Sequence, residues 1–150
     1  MSHMTNDMYI QCFKQMQKSV DSLFRMKHFS SKMKSNQNIY ITNLRDAYMM
    51  IYKAGKWNKV NKEATMSSIY NDLKGNLEDA LEKMREKSTI PAELDRVVKW
   101  FWEDDLDHDR ENRLKKESYI NMSCNAYNNR EYPMQMKLKA DRCIKNARTN

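Results

Sequence analysis

Two glycines and two prolines in 150 residues leave this chain few places for a tight reversal. A sandwich or barrel of short strands needs a turn signal roughly every 8–12 residues, and that supply is absent. The chain is therefore read as mostly helical. An apolar fraction of 40% with 10% aromatics excludes collagen-like, low-complexity and fully disordered classes. A chain of this length buries roughly 70% of its unfolded surface, so folding requires neither disulfide nor metal.

Hydrophobic spacing places the helices. Met8, Cys12, Met16, Val20, Leu23 and Phe24 recur at three- and four-residue intervals, which predicts a first helix over 6–28 capped by Thr5 or Asn6. Periodicity is lost from Phe29 to Asn38, a Ser/Asn/Lys-rich linker. Ile39-Tyr40-Ile41-Thr42 reads as a strand. Tyr48–Tyr52 and Trp57–Val60 read as a hairpin turned at Gly55, with Trp57 packing it onto whatever covers it. Large-to-small replacement at such an anchor costs about 3–5 kcal/mol. Met66, Ile69, Tyr70, Leu73, Leu77, Leu81 and Met84 mark a helix over 61–87, with Gly75 as a possible kink. Pro91 opens another with Leu94, Val97, Val98, Phe101 and Trp102 on its apolar face. Leu114, Ser118, Met122, Cys124 and Ala126 support a helix over 110–129. Pro133 opens the last, with Met136, Ala140, Cys143, Ile144 and Ala147 on one side.

The formal charge is +7, unevenly spread. Residues 1–38 and 118–150 are each +4, around an acidic insert at 103–117 of −3. Such a surplus attracts polyanions. Cys12, Cys124 and Cys143 are widely spaced, without a CxxC pair, and His3, His28 and His108 are scattered, with His28 and His108 in polar segments. The cysteines read as small buried hydrophobes in a reducing compartment rather than zinc ligands. The longest apolar run, Ala47–Tyr52, is too short to cross a bilayer, and the N-terminus has no apolar signal region. An intracellular, non-secreted protein without a membrane association is expected.

Three constellations invite a chemical reading. Asp105-Leu-Asp107-His-Asp109 resembles the start of a calcium loop, but position 6 is Arg110 rather than Gly, and position 12 is Lys116 rather than Glu. The same carboxylates do not by themselves make a metal-dependent nuclease, which collects ligands from several elements. Trp57, Trp100, Phe101 and Trp102 are an alternative base-stacking platform, although such spacing more often builds a core. No catalytic residue, metal site or cofactor is assigned. The sharpest feature is basic: Lys137, Lys139, Arg142, Lys145 and Arg148 lie off the apolar stripe of the last helix. Arg25, Lys27, Lys32 and Lys34 form a second, weaker basic group.

Asn38-Ile39-Tyr40-Ile41-Thr42-Asn43-Leu44, Ala47–Tyr52, Gly55-Lys56-Trp57, Leu81-Glu82-Lys83-Met84 and Ala126–Arg130 resemble a domain of large nucleocytoplasmic DNA virus (giant virus) proteins. In those proteins a similar segment often follows a Cys2His2-like zinc finger. The resemblance spans roughly residues 38–130 and implies no catalytic residues. The finger part is absent, since residues 1–37 hold only Cys12, His3 and His28. A nucleic-acid role thus has no support from a finger here. The high Asn and Lys content also fits an AT-rich viral genome.

The expected fold is a mostly helical α+β domain: a small antiparallel β-element near 39–60 among four or five helices. Residues 1–37 form an N-terminal helix and linker, 38–130 the core, and 131–150 a basic C-terminal helix. The expected function is that of a non-enzymatic viral accessory protein, in host cytoplasm or virion, binding nucleic acid through its basic ends. The alternative is a structural or virion-associated protein-interaction module, including self-association. No small-molecule substrate is indicated.

Overall fold

The computed structural model describes residues 4–15, 18–29, 36–96, 99 and 108–149. Their architecture is mostly helical α+β: five α-helices around a three-stranded antiparallel sheet of order β1-β2-β3. The helices are α1 (Asn6–Phe13), α2 (Ser19–Phe29), α3 (Lys62–Glu86), α4 (His108–Asn128) and α5 (Glu131–Thr149). The strands are β1 (Ile39–Tyr40), β2 (Tyr48–Lys53) and β3 (Lys56–Asn61).

The single N-terminal helix expected over 6–28 is two helices. Thr5 caps α1, its Oγ1 accepting from Met8 N at 3.3 Å. After Phe13 the chain tightens, with Gln15 N donating to Cys12 O and Lys18 N to Gln15 O, both at 3.0 Å. These three-residue loops end the α-helical ladder. The apolar spacing runs through the break, which is why periodicity did not register it. Cys12, Phe13, Val20, Leu23 and Phe24 nevertheless all enter the main buried cluster, so both helices pack on the core. His28 also differs from expectation. It lies on α2 against the Phe24 ring, centroids 5.1 Å apart, and its Nδ1 is 3.0 Å from Asn36 O. Burial depresses its pKa below the ordinary histidine value, against the opposing effect of its hydrogen bonds to Asn36 and Asn38.

β1 is shorter than the four-residue strand read from sequence. Ile39 and Tyr40 pair with Ile51 and Met50, and then the chain leaves the sheet. Asn43 Oδ1 accepts from Arg45 N at 2.9 Å, a local turn that ends the pairing. The hairpin forms as expected, with Tyr52 opposite Trp57 and Met50 opposite Lys59. Its two turn residues, Ala54 (φ 54°) and Gly55 (φ 80°), both have positive φ. That is the hairpin turn whose twist matches the strands, here with alanine in a position that favours Gly or Asn.

α3 runs unbroken through Gly75. Asn61 Oδ1 caps it by accepting from Ala64 N at 2.9 Å. Its end is a Schellman arrangement: Ser88 (φ 55°) takes the left-handed position, Thr89 N donates to Met84 O and Ser88 N to Arg85 O. Met66, Tyr70, Leu73, Leu77, Leu81 and Met84 are buried, so the predicted stripe is the central core face. Beyond Pro91 the structure shows a 3-10 turn, Ala92–Leu94, with Leu94 buried. Val97, Val98, Trp100, Phe101 and Trp102 lie outside the described residues, as do Asp105 and Asp107. α4 packs Met122 and Ala126 into the core, and Asn121 Nδ2 donates to the buried Asp21 of α2 at 2.8 Å. No described helix is long and apolar enough to cross a membrane.

α5 breaks the pattern. It begins at Glu131, two residues before Pro133, and that proline is buried in its first turn. Further on, Met136 (40%), Leu138 (54%) and Ile144 (54%) are exposed. Cys143 and Ala147, which share the predicted apolar stripe with Met136 and Ile144, are exposed too. Of the three cysteines, all free, only Cys12 is fully buried, and burial pushes its thiol pKa up to about 11. The reading of all three as buried hydrophobes holds for Cys12 alone.

Candidate nucleic-acid interface

Alternation along the hairpin sorts its side chains onto two faces. Ile39, Met49, Ile51 and Val60 turn inward to the core cluster. The pairings Tyr52–Trp57, Met50–Lys59, Tyr48–Asn61 and Tyr40–Met50 put Tyr40, Tyr48, Met50, Tyr52, Trp57 and Lys59 together on the outer face. An outer sheet face is ordinarily polar. This one is aromatic.

Its rings are ordered by contact. Trp57, half-buried, lies between Tyr40 (centroids 5.2 Å, 56°) and Tyr52 (5.5 Å, 64°). These tilted arrangements let ring edges meet ring faces. Lys59 Nζ stands 4.9 Å from the Tyr48 centroid, a cation over a ring. Tyr48 is 48% exposed and Tyr52 43% exposed, while Tyr40 is buried at 5%. Trp57 is therefore part of an aromatic layer on the solvent side, not a pin from hairpin to core.

α5 meets the sheet at β1. There Lys137, with Tyr40, Thr42, Asp46, Tyr48 and Lys59, borders a cleft of about 290 Å³. Lys137 Nζ donates to Asp141 Oδ2 at 2.8 Å, one turn along the helix. That hydrogen bond raises the lysine pKa and pairs its ammonium with a carboxylate beside the cleft. Burial raises the Tyr40 pKa above the ordinary tyrosine value. Asp46 Oδ1 accepts from Tyr48 N at 3.3 Å, closing the loop before β2.

The basic residues singled out by sequence fall into separate places. Lys139, Arg142 and Lys145 are exposed on α5. With Lys137 they span an arc of about 200° at 100° per residue, opposite Met136, Cys143 and Ala147 but with the exposed Leu138 at its centre. Arg148 is on α5, but its side chain lies outside the described set. Arg25 is exposed beside a polar cleft between α2 and α4. Lys27, two positions on, is half-buried, with a pKa lowered by burial and an opposing field from Asp72 of α3. Two residues apart on a helix point to different sides, so α2 presents no joint patch. Lys32 and Lys34 lie outside the described residues.

Sequence reasoning missed Tyr40, Tyr48, Tyr52 and Lys59. The signal was present as Tyr48-x-Met50-x-Tyr52 followed by Trp57-x-Lys59, a period-2 pattern whose aromatic members share a face. Among the described residues, no group of three or more His, Cys, Asp or Glu could hold a metal ion. Comparison with known proteins returns no match to this chain from family models, curated proteins or solved structures.

Proposed function

We propose that this chain is a non-enzymatic nucleic-acid-binding protein, acting as an accessory protein of a large DNA virus, in host cytoplasm or virion, as the resemblance of residues 38–130 implies. The observation that carries the binding role is the continuity between two surfaces. The basic arc of α5 starts at Lys137, and Lys137 borders the same cleft as Tyr40, Tyr48 and Lys59 of the sheet. A polyanion lying along α5 is thereby led onto the aromatic face. Each phosphate neutralised by Lys or Arg releases condensed counterions, so binding weakens linearly on log–log axes, with slope about −0.9 per phosphate on duplex DNA.

The test is a salt titration of binding to labelled duplex and single-stranded oligonucleotides. Replacing Lys137, Lys139, Arg142, Lys145 and Arg148 together by Gln flattens the slope by a few units. No salt-dependent binding by the unmodified protein at low ionic strength would remove the proposal. The second reading is a protein-interaction or self-association module, and α5 is the observation in its favour. Met136, Cys143 and Ile144 on one side of the helix are uncovered, as they would be on a helix that pairs with another helix. Concentration-dependent association abolished by Ile144→Ser, without nucleic-acid binding, would favour that reading.

A further inference from the structure

We infer that the outer sheet face takes single-stranded nucleic acid by stacking bases on Tyr48 and Tyr52, an inference that rests on the nucleic-acid reading above. Four residues along a strand separate the two rings, about 13 Å, so they serve as stations for different bases. Trp57 lies against Tyr52 and Lys59 against Tyr48. Each exposed ring thus has a neighbour that limits its motion before any ligand arrives. A base of any kind presents a π-face to such rings, which makes the contact tolerant of sequence.

The chemistry around the rings selects this occupant. Lys59 and Lys137 flank the outer face, while Lys53 and Lys56, exposed at the hairpin tip on the opposite register from Tyr52 and Trp57, add positive charge at its end. These charges attract phosphates, whereas an uncharged proline-rich peptide, which also favours aromatic grooves, gains nothing from them. Asp46 and Thr42 also line the cleft with Tyr40 and Tyr48, and one Asp46 oxygen already accepts from Tyr48 N. A carboxylate there repels phosphate but accepts from the amino and imino groups on a base edge. The backbone therefore runs past the lysines while a base turns inward. Duplexes are excluded from this mode, because paired and stacked bases offer no free faces.

The experiment compares a labelled oligothymidylate with a duplex of equal length, using fluorescence anisotropy on the full chain. In Tyr48→Ala/Tyr52→Ala, affinity for the single strand falls by about 5- to 150-fold for each ring removed, and duplex affinity is unchanged. Tyr48→Phe/Tyr52→Phe retains near-wild-type affinity, because the ring faces remain. Both residues are about half exposed, so the Phe pair melts close to the parent. The Ala pair, which loses the contact with Trp57, is assayed at a temperature where circular dichroism shows it folded. If the Ala pair binds oligothymidylate as well as the parent while the α5 glutamine variant loses affinity, the stacking inference is overturned and the nucleic-acid reading survives. If the Phe pair loses as much as the Ala pair, hydroxyls rather than ring faces hold the strand, and stacking is again overturned. If neither oligonucleotide binds the parent protein, both inferences fall together.

Discussion

α3 and α5 are both long helices with apolar residues at three- and four-residue spacing, yet α3 buries Met66, Leu73, Leu77 and Leu81 while α5 leaves Met136, Cys143 and Ile144 in solvent. Their surroundings account for the difference. α3 has α1, α2 and α4 around it, with β2 and β3 at its start, whereas α5 makes its main contact with the two-residue strand β1. Only Asn129 and Arg130 separate α4 from α5. α5 therefore departs from the end of a helix that has already filled its place in the core. Periodicity reports that a helix has an apolar face. What covers that face is decided by topology.

The largest expected effect lies on the α3 side of this comparison. Leu77 is fully buried at the middle of the core stripe. Leu77→Ala should cost about 2–5 kcal/mol in chemical denaturation, from lost transfer energy and the cavity left behind. A cost below 1 kcal/mol would mean that the α3 stripe is no better packed than that of α5, and the contrast would collapse. The next effect lies on the hairpin. A fully buried Trp57 would cost about 3–5 kcal/mol on truncation. Because it is half-buried on the outer face, between Tyr40 and Tyr52, Trp57→Ala should cost about 2 kcal/mol, combining partial burial with lost ring contacts. A loss of 4 kcal/mol would return it to the role of a core anchor.

A third change acts on α3 with the opposite sign. A Cβ added at Gly75 would meet nothing within 4 Å, and the residue is helical. Gly75→Ala should therefore stabilise the protein by about 1 kcal/mol, read as a higher denaturation midpoint with unchanged slope. No gain would show that the helix is bent or opened there.

How much of this was legible varied with how local the cause was. The hairpin could be read because Gly55 and the flanking β-formers act within a few residues, and α3 because its apolar stripe lies on the chain itself. The break after Phe13 was hidden, since Cys12 and Val20 keep helical spacing across it while the backbone does not. The outer aromatic face depended on register: Tyr48, Tyr52 and Trp57 become neighbours only when Tyr52 pairs with Trp57. The basic arc of α5 was legible as a pattern. Its junction with the sheet through Lys137 was not, because Lys137 and Tyr40 lie 97 positions apart in the chain.

The smallest expected effect is the most informative about α5. Ile144 is 54% exposed, so Ile144→Ala removes atoms that already touch water. It should change the stability of the dilute monomer by no more than about 0.5 kcal/mol, as surface substitutions do. The fivefold Gln replacement on the basic arc removes the Lys137–Asp141 ion pair along the helix surface. Such exposed pairs contribute about 0.3–0.5 kcal/mol. Measurement at two protein concentrations separates two cases. A cost that stays near zero at both leaves α5 an uncovered helix, free to meet nucleic acid with its basic arc. A cost that grows with concentration means the stripe is covered by a second copy, since only association makes stability depend on protein concentration. In that case α5 would resemble α3 after all, with its core supplied from outside the chain.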